Sequence, residues 1–281
     1  MSEKIYVYPK LSNIDWSFMR IGGPGLANCM FVAARAYVIA QTNHWKLINP
    51  TWAKISMGPY IRGEKDKRHY FGLFKKYGIS GIKKSILLIR SKKYGEREIP
   101  EQNGLINVCG LGDYFVGLLP HYNLLYSYFA SIINPNIVKT IEKTDFCKVI
   151  GLHVRLGDYI SSLRTPTSWY KCMIEQINNR YPDRFEFQIF SDGRDDELDE
   201  LLSISNVSKA FYGNALADIW ALSKCRLIIG SDSTFSGWGA FWGQVPIIFP
   251  ACHFGNVLLN TNKQLVLNEN DIIPESFLKE I

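Results

Sequence analysis

The hydrophobic positions of residues 147–281 keep a regular beat. Apolar runs without polar alternation, "KVIGLHVR", "FEFQIF", "SKAFY", "RLIIGS" and "VPIIFP", predict strands. Between them "SWYKCMIEQINNRY", "DELDELLS", "ALADIWALSKC" and "FSGWGAFWG" predict helices. Strands that are apolar on both faces and alternate with helices build a parallel sheet covered on both sides. This half therefore reads as a doubly wound α/β domain.

The pattern of residues 1–146 is less even. "GGPGLANCMFVAARAYVIAQ" is a glycine turn opening an apolar helix, "WKLIN" and "LINVCG" are short strands, and "YFVGLLPHYNLLYSYFASII" is helical. These elements predict a smaller, more decorated α/β domain, with the border in "NPNIVKTIEKTDF", set at 146/147. The fold class expected is two α/β domains with a cleft between them, where such sheets take ligands beyond their strands' carboxyl ends.

Composition narrows the classes. At 281 residues, 47% hydrophobic and 21% charged, the chain has ample core and the balance of a folded, soluble protein. No apolar run reaches the roughly 20 residues of a spanning helix, and the first ten residues lack a secretory h-region. Six cysteines without CxxC spacing suggest buried free thiols in a reducing compartment. The expected location is cytoplasmic, with peripheral contact at the inner membrane.

Charge is uneven. Residues 54–98 hold 13 Lys and Arg against 4 Asp and Glu, so the remainder of this +6 chain is slightly acidic. The segment interleaves lysines with bulky apolar residues. It reads as a solvated helix face, as a peripheral patch for anionic lipid, or as a nucleic-acid surface, though no nucleic-acid motif accompanies it.

Four motifs carry chemistry. In "KVIGLHVRLGDYI" the alternation of a strand puts His153 and Arg155 on one face and Leu152 and Val154 on the other. Gly157 lets the chain turn, and Asp158 follows. Arg155 offers a planar fork for phosphate oxygens; Asp158 can orient Arg155 or His153, or take a proton; an Arg–Asp pair fixing a turn beside a core histidine is the plain alternative. In "RLIIGSDSTFSGWGAFW" Ser233, Thr234 and Phe235 open a helix after a strand, an anion site by its free N–H groups and equally an ordinary N-cap. "GGPGLANCMF" is a glycine loop that is neither GxxxxGKS/T nor GxGxxG, and Asn28 on its helix can reach a ligand or cap the helix. In "IFSDGRDD", Asp192 is a ligand acceptor or a turn residue, and Asp218 suits a helix's first turn. No GxSxG elbow, metal-ligand spacing or D-x-D is present, so no metal and no cofactor is expected.

In this order the motifs resemble the α-1,2-fucosyltransferase family, glycosyltransferase family 11, and related GDP-fucose transferases. "HVRLGDY" resembles its H-x-R-R-G-D-Y, "SDSTFSGWGAFW" its S-S-F-S-W-W-x-A, "IFSDG" its F-S-D-D and "GGPGLANCMF" its G-G-L-G-N-Q-M-F. "CGLGDYFVGLL" sits where that family has G-Y-F-Q. The resemblance implies a GT-B fold, two facing Rossmann-like domains with a cleft between them, and an inverting, metal-independent transfer of fucose from GDP-fucose to an oligosaccharide or lipid-linked glycan in bacterial surface polysaccharide synthesis. The acceptor lies on the domain of residues 1–146, with its basic insert at about 54–98, and the GDP-sugar on that of 147–281. The resemblance makes Arg155, His153 and Asp158 catalytic, with Arg155 on the pyrophosphate. It assigns Ser233, Thr234 and Phe235 to phosphate and guanosine, Asp192 or Asp218 to the guanine edge, and Gly25 and Asn28 to the donor, Asn28 near the sugar. The chain departs from the family's pattern at Leu156, Cys29 and Gly237. Alternatives are a transferase for another GDP-sugar or nucleotide sugar, and a non-catalytic nucleotide- or glycan-binding protein.

Overall fold

Two separate stretches of chain each bury their own parallel sheet. The computed structural model describes residues 4–61, 63, 66–98, 100, 103–157 and 164–279. It divides into Met1–Ile137 and Val138–Ile281, nine residues ahead of the border expected from the sequence.

In the first unit the chain runs β1 (Ile5–Pro9), β2 (Ile14–Asp15), β3 (Arg20–Ile21), α1 (Leu26–Thr42), β4 (Lys46–Leu47), β5 (Lys54–Ile55), α2 (Gly58–Ile61), α3 (Gly81–Arg90), β6 (Lys93–Gly95), β7 (Gly104–Val108) and α4 (Tyr122–Ile132). A turn of helix, α5 (Pro135–Val138), crosses the border. The main sheet has the order β4-β1-β7-β6, all parallel. α1 packs against it through Met30, Phe31, Ala33 and Ala34, all fully buried. A second, three-stranded sheet, β2-β3-β5, is attached to it. The basic segment expected as one lysine-studded helix is instead spread over β5, α2, α3 and β6.

The second unit runs β8 (Val149–Val154), α6 (Thr167–Arg180), β9 (Glu186–Ser191), α7 (Asp199–Leu202), β10 (Val207–Lys209), α8 (Ala215–Leu222), β11 (Leu227–Gly230), α9 (Thr234–Gly243), β12 (Ile247–Phe249), β13 (Gln264–Val266) and α10 (Glu275–Leu278). Its six strands are parallel in the order β10-β9-β8-β11-β12-β13. That is the doubly wound Rossmann order. Three strands are laid down in one direction from β8, and the chain then returns to add three on its other side. The order reverses between β8 and β11, and a crevice forms beyond the carboxyl ends of such strands.

The core explains the alternation along β8. Leu152 and Val154 join Tyr170, Met173 and Ile174 of α6 in one buried cluster, while His153 points to the face covered by α9. Close approach needs glycine on that second face. A Cβ on Gly151 would lie 2.6 Å from a Leu222 methyl, and one on Gly230 would lie 2.6 Å from the Ser236 Cβ. Gly239 likewise brings α9 against α8, where a Cβ would meet that of Leu222 at 2.8 Å.

Of the six thiols, all unpaired, Cys29 and Cys225 are buried; Cys109 and Cys147 are exposed, contrary to the expectation of buried cysteines, because each lies just outside its apolar run. Among the described residues no helix is long and apolar enough to cross a membrane.

Candidate functional site

The carboxyl ends of β8, β9 and β11 gather the second unit's polar chemistry. His153, the fifth residue of β8, is almost fully buried and lies flat against the Phe235 ring, with centroids 4.7 Å apart. Its Nδ1 is 2.6 Å from Ser236 Oγ on α9 and 3.1 Å from Ser231 Oγ just after β11. Its carbonyl accepts from the Tyr170 hydroxyl at 2.9 Å and from the Ser231 amide at 3.0 Å. Burial, reinforced by the Arg155 guanidinium, pushes the imidazole down to about 3 against the opposing pull of Asp192. The ring is therefore neutral across the physiological range. It serves as a hydrogen-bonding and packing group that ties the α9 amino terminus to the sheet.

Arg155 lies two residues on, partly exposed, and its Nη1 meets Asp192 Oδ2 at 2.9 Å. The other carboxylate oxygen, Oδ1, accepts from the Leu156 and Gly157 amides, each at 3.0 Å. One carboxylate after β9 thus fastens both the guanidinium and the turn that follows β8. Gly157 is required there, since a Cβ would overlap the Asp192 carboxylate. Gly193 makes the same room for Leu156, whose Cδ1 would lie 2.5 Å from an added Cβ. The Asp192 expected to read a guanine edge has both its oxygens engaged in this anchoring. Asp158, the sequence's candidate base, lies outside the described residues.

Ser233 is the N-cap of α9, accepting from the Phe235 amide at 3.3 Å, with Thr234 as the first helical residue. A ten-residue helix beginning here points its amino-terminal turn and positive dipole end at the sheet's carboxyl edge. A guanidinium and a helix amino terminus meeting at a switch point form an anion site suited to a diphosphate. Asp218 is in the first turn of α8, whose cap is Asn214, and it accepts from the Tyr212 amide at 2.8 Å.

Sequence reading missed two groups on the same edge. Ser236 lies inside a helix, where a serine carries no signal until its partner is known. His253 follows β12 and places Nδ1 2.8 Å from Asp232 Oδ1, which also accepts from the His253 amide at 3.2 Å. Only its position in "FPACHF", just past the last predicted strand, could have flagged it. A carboxylate-oriented imidazole adds a hydrogen-bonding group, or a proton acceptor, to this edge.

In the first unit the glycine loop is held from within. Gly25 is the N-cap of α1, and Asn28 lies in the helix's first turn. Gly22 and Gly23 adopt positive φ, and a Cβ on Gly23 would meet the Leu11 carbonyl at 2.7 Å. The loop carbonyls accept from buried cations: Gly22 O from Arg20 Nη1 at 2.6 Å, and Gly23 O from Lys54 Nζ at 3.1 Å. An open depression of about 540 Å³ lies by the carboxyl ends of β6 and β7, lined by Lys10, Lys93, Glu96, Glu98 and Asn107 among others. Among the described residues no group of three or more His, Cys, Asp and Glu could hold a metal ion.

Known proteins place this arrangement. The model of glycosyl transferase family 11 matches residues 132–247, from the end of α4 to the start of β12. An alpha-1,2-colitosyltransferase of Escherichia coli is 24% identical over 163 residues, 54% of this chain and 56% of that protein, so the chain spans about half of this relative's length. Among solved structures, NodZ alpha-1,6-fucosyltransferase with GDP superimposes with a TM-score of 0.54 at 17% identity, over 88% of this chain and 94% of that one. A mutant of Arabidopsis thaliana FUT1 in complex with GDP gives 0.51 at 11% identity, over 92% and 73%. The expected α/β fold is thereby met: residues 132–247 match the model of glycosyl transferase family 11, and the chain has the two-domain Rossmann-like fold of the fucosyltransferase structures.

Proposed function

We propose that this chain is an inverting glycosyltransferase that moves fucose from GDP-fucose to a glycan hydroxyl, without a metal ion. The observation that carries the reading is the convergence of Arg155, clamped by Asp192, and the amino terminus of α9 at the β8/β11 switch point. Support comes from the family 11 match over the same residues and from the GDP complexes of the structurally similar proteins.

In the proposed reaction the acceptor oxygen forms a bond to the anomeric carbon as the bond from that carbon to the β-phosphate oxygen breaks. The acceptor proton goes to a base, and GDP departs with the bonding pair. Arg155 and the α9 N–H groups stabilise the charge that grows on the diphosphate, a fixed electrostatic arrangement of the kind that dominates such barriers. Neutral His153 holds α9 in place for that role. Ser233, Thr234 and Phe235 line the diphosphate and nucleoside. Asp158 is the proposed base, and the Asp232–His253 pair is a second source of proton acceptance on the same edge. The acceptor is assigned to the first unit, with Gly25 and Asn28 toward the sugar, and to a surface polysaccharide precursor. A second reading keeps the GDP carrier and changes the sugar, because the Escherichia coli relative is named for a colitosyl group.

Calorimetry with GDP, GDP-fucose, GDP-mannose and UDP in EDTA, on wild type and Arg155→Ala, tests this. GDP compounds are expected to bind and UDP not, with Arg155→Ala weakening GDP by about 100-fold or more. Absence of binding by any GDP compound overturns the reading.

A further inference from the structure

Two elements of the first unit turn isoleucines to the outside and a cation to the inside. Across the small sheet Ile14 pairs with Ile21 and Ile21 with Ile55, so the three share a face, and all three are exposed. The next row, Asp15, Arg20 and Lys54, shares the opposite face, and both cations are buried. Helix α3 sets Leu87 and Leu88 on the core beside a buried lysine and leaves a second apolar face outward. Ile82, Ile86 and Ile89 recur at i, i+4 and i+7, the spacing of one helical face, and are 80%, 46% and 80% exposed, while Lys84 is only 2% exposed.

The inward charges have partners: Lys84 Nζ donates to Thr51 Oγ1 at 2.7 Å, Thr51 Oγ1 to Asp15 Oδ1 at 2.8 Å, and the Tyr8 hydroxyl to Asp15 Oδ2. The outward isoleucines face water, where an apolar stripe of this length has no stabilising role. The two surfaces adjoin, since Ser17 Oγ lies 2.7 Å from Ser85 Oγ on α3. Ser17 is flanked by Trp16 and Phe18, themselves 51% and 72% exposed.

Charge selects the occupant. Between Lys67 and Gly95 the sequence has nine Lys and Arg and no Asp or Glu. Lys83 and Arg90 are exposed on α3 itself, and Lys92 and Lys93 directly after it. A second copy of the chain would set this cationic fringe against its own like. An apolar stripe with an aromatic edge and a lysine fringe fits a bilayer interface, isoleucines among the acyl chains and lysines on anionic headgroups. We infer that the face made by β2-β3-β5, the Trp16–Phe18 turn and the outer side of α3 docks on an anionic membrane surface. The inference does not depend on the transferase reading, and Lys84, counted with the basic surface in the sequence, is not part of it.

Vesicle flotation of the full chain tests it, using phosphatidylcholine alone and phosphatidylcholine mixed with phosphatidylglycerol. Wild type is expected to float with the mixed vesicles. Ile82→Ser/Ile86→Ser/Ile89→Ser and Lys83→Glu/Lys92→Glu/Lys93→Glu should each weaken that binding by about tenfold or more. Thermal unfolding and size-exclusion elution of the serine variant should match wild type, since the replaced side chains touch solvent. GDP binding, measured separately, reports the transferase reading alone. Wild type left behind by the mixed vesicles, or serine variants that still float, would overturn the inference. So would a wild-type dimer that the serine substitutions dissolve, because the face would then cover a second copy.

Discussion

The switch point of the second sheet and the small sheet of the first unit both bury charge beside an apolar layer, and they do so in opposite senses. At β8 the apolar face of the strand goes inward to α6, and the polar residues collect at the strand's end, where Arg155 meets Asp192 on the open edge. In β2-β3-β5 and α3 the cations go inward and the isoleucines outward. A parallel sheet covered on both sides has only its ends free for chemistry, whereas a short appended sheet can turn either face outward. Placement of polar groups is thus dictated by topology in one region and by what the surface meets in the other.

The largest effect is expected where the first region is most interlocked. Asp192→Ala leaves Arg155 without its anchor and two amides, Leu156 and Gly157, without their acceptor. With Arg155 and the turn no longer held toward the diphosphate, GDP affinity is expected to fall by roughly 100-fold, about 2.7 kcal/mol. Asp192→Asn sharpens the comparison. If Asp192 reads the guanine edge, the variant should lose its preference for GDP over inosine diphosphate, which lacks the 2-amino donor. If Asp192 anchors Arg155 and the turn, both ligands should weaken together. The geometry favours the parallel loss, and calorimetry with the two nucleotides decides it.

The next effect is read in stability against pH. The unfolded His153 imidazole protonates near 6.5 and the folded one near 3. Between those values the unfolded chain holds the extra proton, so stability is full above about pH 6.5 and is lost as pH falls toward 3. The slope for one group is about 1.4 kcal/mol per pH unit. Urea denaturation at pH 7.5 and pH 5 should show wild type losing about 2 kcal/mol more than His153→Asn across that interval. Parallel losses in the two proteins would mean that the imidazole is solvated in the folded state.

How far the sequence foretold these regions follows from the range of its signals. Runs such as "KVIGLHVR" and "RLIIGS" announced β8 and β11, and strand alternation separated His153 from Leu152 and Val154. The partner of Arg155 was out of reach, because Asp192 arrives from another strand and only the parallel register of β8 with β9 brings it there. Asp158, adjacent in sequence, is the partner that sequence alone offers. The small sheet had no legible signal, since each of its strands is two residues long and a period of two needs more. β1, whose "IYVYP" is almost wholly buried, is absent from the strands that the pattern predicts. β13 is a half-exposed edge strand and lacks the apolar run that marked the others. The isoleucines of α3 were visible, but the usual rule places them inward, and the buried lysine contradicts it.

The smallest effect tests whether that inner network, rather than chance, turns α3 over. Burial lowers the Lys84 ammonium to about 8 from 10.5, with Asp15 pulling the other way. Between those values the unfolded chain again holds more protons, so the burden of the buried charge is full below pH 8 and is relieved as pH rises. Lys84→Met keeps a chain of similar length and removes the charge, while Asp15 retains the Tyr8 and Thr51 hydroxyls and the Ser17 amide. Exchange of a buried ion for an apolar group of like volume is often near neutral, so stability at pH 7 should change by about 1 kcal/mol or less. Urea denaturation from pH 8 to 9.5 should show wild type gaining on the variant by about 1–2 kcal/mol. Curves that stay parallel would place the lysine in water and α3 the ordinary way round, with its isoleucines inside. A gain of the expected sign makes the outward apolar face a consequence of a satisfied polar interior, and leaves that face needing a cover of its own.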